Sequence, residues 1–307
     1  GVSELRDYPQ LINIATDGES YGHHTKFGDM ALSYVLKIKA EDEGFKITNY
    51  AEYLDKYRSD YEVDIKQASS WSCCHGVGRW KEDCGCSTGG HPGWNQKWRE
   101  PLRNALDFLR DKLASLFEKE GQKYFNDNPW TIRNKYIDVI LDRTYSNIRK
   151  FQKENFKADL TEEEKVKGME LLEIQRQAML MYTSCGWFFS EISGIETVQI
   201  MKYAARAMQL AARYTNEDLE TPFLDILANA KSNISEFGTG KEIFERFVKP
   251  SVVSAKEIAC LWAISSLYQD FEDEEEVYCY TVKRNVYQKA QKGSSNFVVG
   301  NIEITSK

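Results

Sequence analysis

The spacing of apolar residues changes period several times in the first hundred positions. Leu11 to Thr16 is a short apolar run and predicts a buried strand. Phe27, Met30, Ala31, Tyr34, Val35 and Ile38 then recur at helical spacing and predict a helix over 27–39. A second short helix is expected over 50–57. Glu62-Val63-Asp64-Ile65 alternates polar with apolar, as a strand would. From Ser69 to Trp98 no period holds, and Gly, Cys, Trp and His crowd together. A loop of that length inside a compact domain is usually functional, and its Trp and Cys content argues for order.

Beyond Pro101 the pattern becomes helical. Leu102, Leu106, Leu109, Leu113, Leu116 and Phe117 make one apolar stripe, and Ile132, Tyr136, Ile140, Tyr145 and Ile148 make another over 130–151. Later helices carry capping-box starts, in which an N-cap hydroxyl and a carboxylate three residues on satisfy each other's backbone amides. These pairs are Thr161 with Glu164, Ser193 with Glu196, Thr239 with Glu242, and Ser254 with Glu257. Thr221-Pro222 reads as an N-cap followed by Pro at the first helical position. The acidic run Asp270 to Glu276 reads as a solvated helix end or linker. Val277–Val282 and Phe297–Ile304 alternate like a β pair. The fold class is therefore mainly α, a helical bundle over 96–270 followed by the start of a β module over 271–307.

Composition narrows the function. Net charge is −7 with Lys and Arg interleaved among acids, so there is no clustered phosphate-binding surface and nucleic acid is not the expected partner. No apolar run approaches the ~20 residues of a membrane span. Seven cysteines, four of them between Cys73 and Cys86, fit a reducing, cytoplasmic compartment better than a disulfide framework. Seven Trp and 17 Tyr are enough for a sugar-stacking cleft, although a large core would use them equally well.

Four segments could carry chemistry. Asp17-Gly18-Glu19 ends the first apolar run, with Tyr21, His23 and His24 close behind; a retaining glycosidase needs two carboxyls about 5–5.5 Å apart. In the second, Cys73 or Cys74 with His75, Cys84 and Cys86 offers the Cys and His donors of a tetrahedral zinc site. Adjacent Cys-Cys and Cys-X-Cys spacings chelate less readily than Cys-X-X-Cys, and reduced buried thiols are the ordinary alternative. The third is Trp94 and Trp98, four apart, which either pack in a core or face a ligand. The fourth is Ser184-Cys185-Gly186-Trp187-Phe188-Phe189, where three consecutive aromatics cannot all enter one core.

Taken together, these segments resemble the C-terminal portion of glycoside hydrolase family 57, in the subgroup carrying domain of unknown function 3536. Ile14 to His24 resembles that family's fourth motif, Ser70-Trp71 through His75-Gly76 to Trp80 its fifth, and Ser184-Cys185-Gly186-Trp187 a Ser-Ser-Asp-Trp stretch of its helical domain. The resemblance implies that residues 1–95 are the C-terminal remnant of an incomplete (β/α)7 barrel. It implies Asp17 as acid/base, Glu19, His23 and His24 as ligands of sugar hydroxyls, and Trp71, His75, Trp80 and Trp187 as cleft walls. The substrate would be an α-glucan or related oligosaccharide handled by a retaining mechanism that needs no cofactor. Gly186 stands where the family has Asp, so that carboxylate's role does not carry over. The nucleophile motif has no match, so the resemblance implies a partner half of the barrel outside these residues, without which the chain is silent. The competing expectation is a non-catalytic helical module that binds glycan or protein, stabilised by zinc at Cys74, His75, Cys84 and Cys86.

Overall fold

The computed structural model describes residues 3–277 and 280–306. They fall into two compact units that meet in sequence between Gln67 and Ala68. Tyr278 and Cys279, inside the expected Val277–Val282 strand, lie outside the described residues.

The first unit has two helical stretches. Helix α1 (Gly28–Tyr34) runs on through a π-type turn, Val35–Lys39, into α2 (Ala40–Asp42), and α3 (Tyr50–Lys56) starts at Asn49, whose side chain accepts from the Glu52 amide. Both helical expectations are met. Neither expected strand is present: residues 11–16 and 62–65 have no paired neighbour, and no barrel strand exists among the described residues of this unit. A strand is held by its ladder, and apolar alternation alone supplies no partner for its backbone groups. Tyr53 ties the segment down instead by donating its hydroxyl to the Pro9 carbonyl at 2.9 Å. None of residues 3–67 is buried.

The second unit is built on α4 (Arg99–Tyr124), whose apolar stripe is completely buried at Leu102, Leu106, Leu109, Leu113 and Phe117, with Leu116 half-buried at its edge. Helices α5 (Pro129–Lys135), α6 (Ile137–Leu141) and α7 (Tyr145–Asn155) break the single stripe expected over 130–151 into three pieces. The long helices α8 (Glu162–Leu180) and α10 (Ile195–Ala211) complete the bundle with α11 (Glu220–Leu227), and Leu171, Leu172, Ile200, Met201 and Phe223 pack into one core with the α4 stripe. Between α8 and α10 sits the single turn α9 (Cys185–Phe188). Short α12 (Gly240–Ile243) and α13 (Ala255–Ser265) follow.

Three of the four capping boxes form: Thr161 with Glu164, Thr239 with Glu242, and Ser254 with Glu257. The fourth does not. Gly194 is the N-cap of α10, and the Ser193 amide donates to Glu191 instead. Thr221 does not cap α11 either; Asp218 accepts from the Glu220 and Thr221 amides and places Thr221-Pro222 inside the first turn.

The chain ends in an antiparallel sheet of order β1 (Glu274–Val277), β2 (Tyr280–Lys292) and β3 (Ser295–Ser306). Gly293, at φ 62°, supplies the left-handed residue of the β2–β3 turn. The end of the acidic run is therefore strand rather than linker, and Asp273 pairs with Arg284 at 2.5 Å. Ile258 and Trp262 of α13 close a second, smaller core against Val282. No helix among the described residues is long and apolar enough to cross a membrane.

Candidate metal centre and aromatic platform

The long loop before α4 folds back on itself around four donors. Cys73, His75, Cys84 and Cys86 bring their ligand atoms within 4.8 Å of one another. Cys73 is buried at 4% exposure, and its sulfur lies 3.8 Å from that of Cys84. Cys86 Sγ lies 3.6 Å from His75 Nδ1. Two backbone features allow this convergence. Gly76 takes φ 72°, with no room for a Cβ against the Ala68 carbonyl, and Gly85, at φ 81°, turns the chain between Cys84 and Cys86.

Sequence spacing leaves Cys73 and Cys74 equivalent; the fold separates them. Cys73 points into the group, while Cys74 is exposed at its edge, 3.5 Å from His75 Nδ1. The chain turns through Cys74–Val77, and in that turn Cys73 and His75 reach the group while Cys74 is left exposed beside it. The expected quartet is thus corrected at one position, from Cys74 to Cys73.

The electrostatics are uneven. The His75 imidazole beside it draws the Cys86 thiol down to about 6, whereas desolvation pushes Cys84 up. Behind the loop, Arg99 is 0% exposed and donates from Nη1 to the Cys86 carbonyl at 2.8 Å, leaving Nε and Nη2 without partners. Desolvation lowers its pKa to about 10, against the pull of Cys84, Asp83 and Cys86. Arg99 was not singled out by the motifs. The signal was present all the same, because position 99 lies three residues before Leu102, in phase with the buried stripe of α4.

The loop is fastened to the turn α9 by contacts more than a hundred residues apart in sequence. Trp80 donates from Nε1 to the Ser184 carbonyl at 3.0 Å, and Arg79 from Nη1 to the Phe188 carbonyl at 2.9 Å. Arg79 also lies 4.5 Å over the Phe188 ring. Thr88 meets Ser190 at 3.0 Å, and Asn95 exchanges two hydrogen bonds with Asn233. Trp71, 84% exposed, faces Phe188 with ring centroids 6.2 Å apart, and Phe189 continues the aromatic row at 5.4 Å.

Of the expected cleft walls, Trp71 and the half-buried Trp80 are on this surface, and His75 is exposed within the metal group. Trp187 is not a wall. At 1% exposure it stacks on Tyr182 inside the core, and Phe188 takes the surface position instead. The cause is the approach of α9 to α10. A Cβ at Gly186 would stand 2.8 and 2.9 Å from the Cγ1 and Cγ2 atoms of Ile200, so the turn packs directly on α10 with no room for a side chain there, and Trp187 beside it is buried in the same core. Trp98 is likewise core, and Trp94 stacks on His91 at 3.9 Å.

In the first unit, Asp17 precedes a one-turn 3₁₀ helix, Gly18–Ser20, rather than ending a strand. Asp17, Glu19, His23 and His24 are all exposed. The turn is closed by the Ser20 amide on the Asp17 carbonyl and the His24 amide on the Glu19 carbonyl, at 3.0 and 2.9 Å, and the two histidine rings meet edge to face at 4.8 Å.

Among curated proteins and solved structures nothing matches this chain. A family profile does, over residues 94–307, which take in α4, the rest of the helical bundle and the terminal sheet. With well over half its length matched, the chain belongs to the family described as Domain of unknown function (DUF3536).

Proposed function

We propose that the protein is part of a retaining, α-glucan-active glycoside hydrolase or glucanotransferase of the family 57 type. One observation carries the reading. The two distant segments that resemble cleft-lining motifs, Ser70–Trp80 and Ser184–Trp187, meet and form a row of aromatics in which Trp71 and Phe189 are exposed and Phe188, half-buried under Arg79, lies between them. A flat aromatic face matches the apolar face of a pyranose ring, and polar groups beside it fix orientation.

In this reading Asp17 is the acid/base. It protonates the leaving glycosidic oxygen, then takes a proton from water or an acceptor hydroxyl. Glu19, His23 and His24 bind sugar hydroxyls. The nucleophile comes from the remaining half of the barrel. The exposed apolar face of Met30, Tyr34 and Ile38 supports that arrangement, because residues 3–67 bury no side chain of their own and need cover. The Cys73, His75, Cys84 and Cys86 group we read as a structural zinc site rather than a catalytic one, since four protein donors leave no open position.

One feature favours glycan binding without turnover: Gly186 has no room for the carboxylate that the family carries there. Titration of the chain with a malto-oligosaccharide separates the platform from an ordinary surface. Binding weakened at least tenfold by Trp71→Ala, with the helical content unchanged, is the expected result. Equal binding by both proteins, or none by either, removes the platform from the account.

A further inference from the structure

Tetrahedral zinc with Zn–S of about 2.3 Å and Zn–N of about 2.0–2.1 Å separates two sulfurs by about 3.8 Å and a sulfur from a nitrogen by about 3.6 Å. The pairs seen here, Cys73 with Cys84 at 3.8 Å and Cys86 with His75 at 3.6 Å, have those edge lengths. Three thiolates and a neutral imidazole around a dication leave a net charge of −1. Beside them lies a cation that lacks an ion-pair partner. Arg99 is completely buried, makes no salt bridge among the described residues and has two unpartnered nitrogens, while its one bond goes to the backbone of a ligand, Cys86. Arg79, from the same loop, is also buried with Nε unpartnered. Buried charges are ordinarily paired. Asp83, the loop's own carboxylate near Arg99, acts on it through space but makes no ion pair with it, and its Oδ1 accepts from the Gln96 amide at 3.1 Å.

Resting on the zinc reading above, we infer that the metal centre is a clasp: its net negative charge is the counter-charge of buried Arg99, and its occupancy seats loop 69–98, with Trp71 and Trp80, on α9. Trp98 and Trp80 pack on the core and several hydrogen bonds reach the bundle, but between residues 73 and 86 the loop has only one short helical turn, Gly78–Trp80, to fix its own shape. A tetrahedral centre joins residues 73–75 to 84–86 across that turn. It thereby orients the two side chains, Arg79 and Trp80, that reach the α9 carbonyls. The metal class follows from the donors: soft thiolates with one imidazole select a thiophilic, tetrahedral dication such as Zn²⁺ over Mg²⁺ or Ca²⁺.

The test uses the full chain, purified reduced. Metal analysis is expected to give one zinc per chain. Replacement by Co²⁺ should give thiolate-to-cobalt charge transfer and the visible bands of a tetrahedral site. Cys73→Ser and Cys84→Ser should lose these bands, whereas Cys74→Ser keeps them. Stripping the wild-type chain with a chelator should open residues 69–98 to protease and change the near-UV signal of the tryptophans, with far-UV helicity retained. Arg99→Met should weaken zinc binding by 10–100-fold, as loss of a supporting partner does. Less than half an equivalent of zinc, with no tetrahedral cobalt spectrum, overturns the zinc reading and leaves a group of reduced thiols. Zinc present, with a stripped protein as protected as the loaded one, overturns the clasp alone and leaves the site standing. The chelation experiment needs no variant, so a misfolded Arg99→Met protein does not blunt it.

Discussion

Met30, Tyr34 and Ile38 recur at helical spacing in the first unit, as Leu102, Leu106 and Leu109 do on α4. The first three are 65%, 51% and 48% exposed, whereas the second three are at 0%. The same amphipathic pattern therefore gives a helix in both places but a core in only one. What differs is the surroundings. α4 is covered by α8, α10 and α11, and its stripe is the centre of a single cluster that includes Leu171, Ile200 and Phe223. Residues 3–67 present their apolar face to solvent and are held by turns, caps and a few side-chain bonds. Periodicity specifies which face of an element is apolar; it does not supply the element that covers it.

The largest effect should come from Gly186→Asp, which forces a side chain into Ile200 and buries a carboxylate without a partner. A loss of about 4 kcal/mol or more is expected in chemical denaturation. Gly18→Asp, at a position with nothing within 4 Å, should change stability little. Next, Leu106→Ala should cost about 3 kcal/mol through lost transfer energy and a cavity, while Met30→Ala in this chain should stay within about 0.5 kcal/mol. Repeating the Met30 substitution in a protein that carries the whole barrel sharpens the contrast, because a cost that rises toward the Leu106 value means the face is covered there.

A smaller effect is expected at Glu173. Burial acts to raise its carboxyl, but the Tyr136 hydroxyl at 2.5 Å and Arg143 at 2.8 Å overcome that and hold it below the usual carboxylate range. A depressed folded pKa gives stability that is full above the unfolded value of about 4.3 and is lost as pH falls through the lower folded one. Glu173→Gln should therefore cost about 1.5 kcal/mol near pH 7, and the gap between variant and wild type should close below about pH 4. Smallest of all, Thr161→Ala should cost about 1 kcal/mol by removing a formed cap, and Ser193→Ala close to nothing, because that box is absent.

The helical bundle was largely legible because its signals are local. The Thr161, Thr239 and Ser254 starts and the Leu102–Phe117 stripe need no knowledge of the rest of the fold. The strands expected at 11–16 and 62–65 depended on neighbours in space, and the pattern could not supply them. The Cys and His group was legible as a set of donors, yet whether Cys73 or Cys74 joins it depends on the turn the chain makes at 74–77. Trp187 could not be placed from its sequence neighbours, since its burial depends on the docking of α9 on α10 and on Tyr182, which are contacts of the folded bundle. Arg99 was legible in principle, as a charge in phase with a buried stripe, and that phase is what makes its missing counter-charge informative.

The proposed catalytic role of Asp17 is tested most directly by α-glucan turnover in the intact natural protein, wild type against Asp17→Asn. The wild type should turn over α-glucan and the variant should lose several orders of magnitude, of the size expected when a retaining enzyme loses its acid/base. Turnover that survives the substitution would contradict that role and reduce Asp17-Gly18-Glu19 to a structural turn.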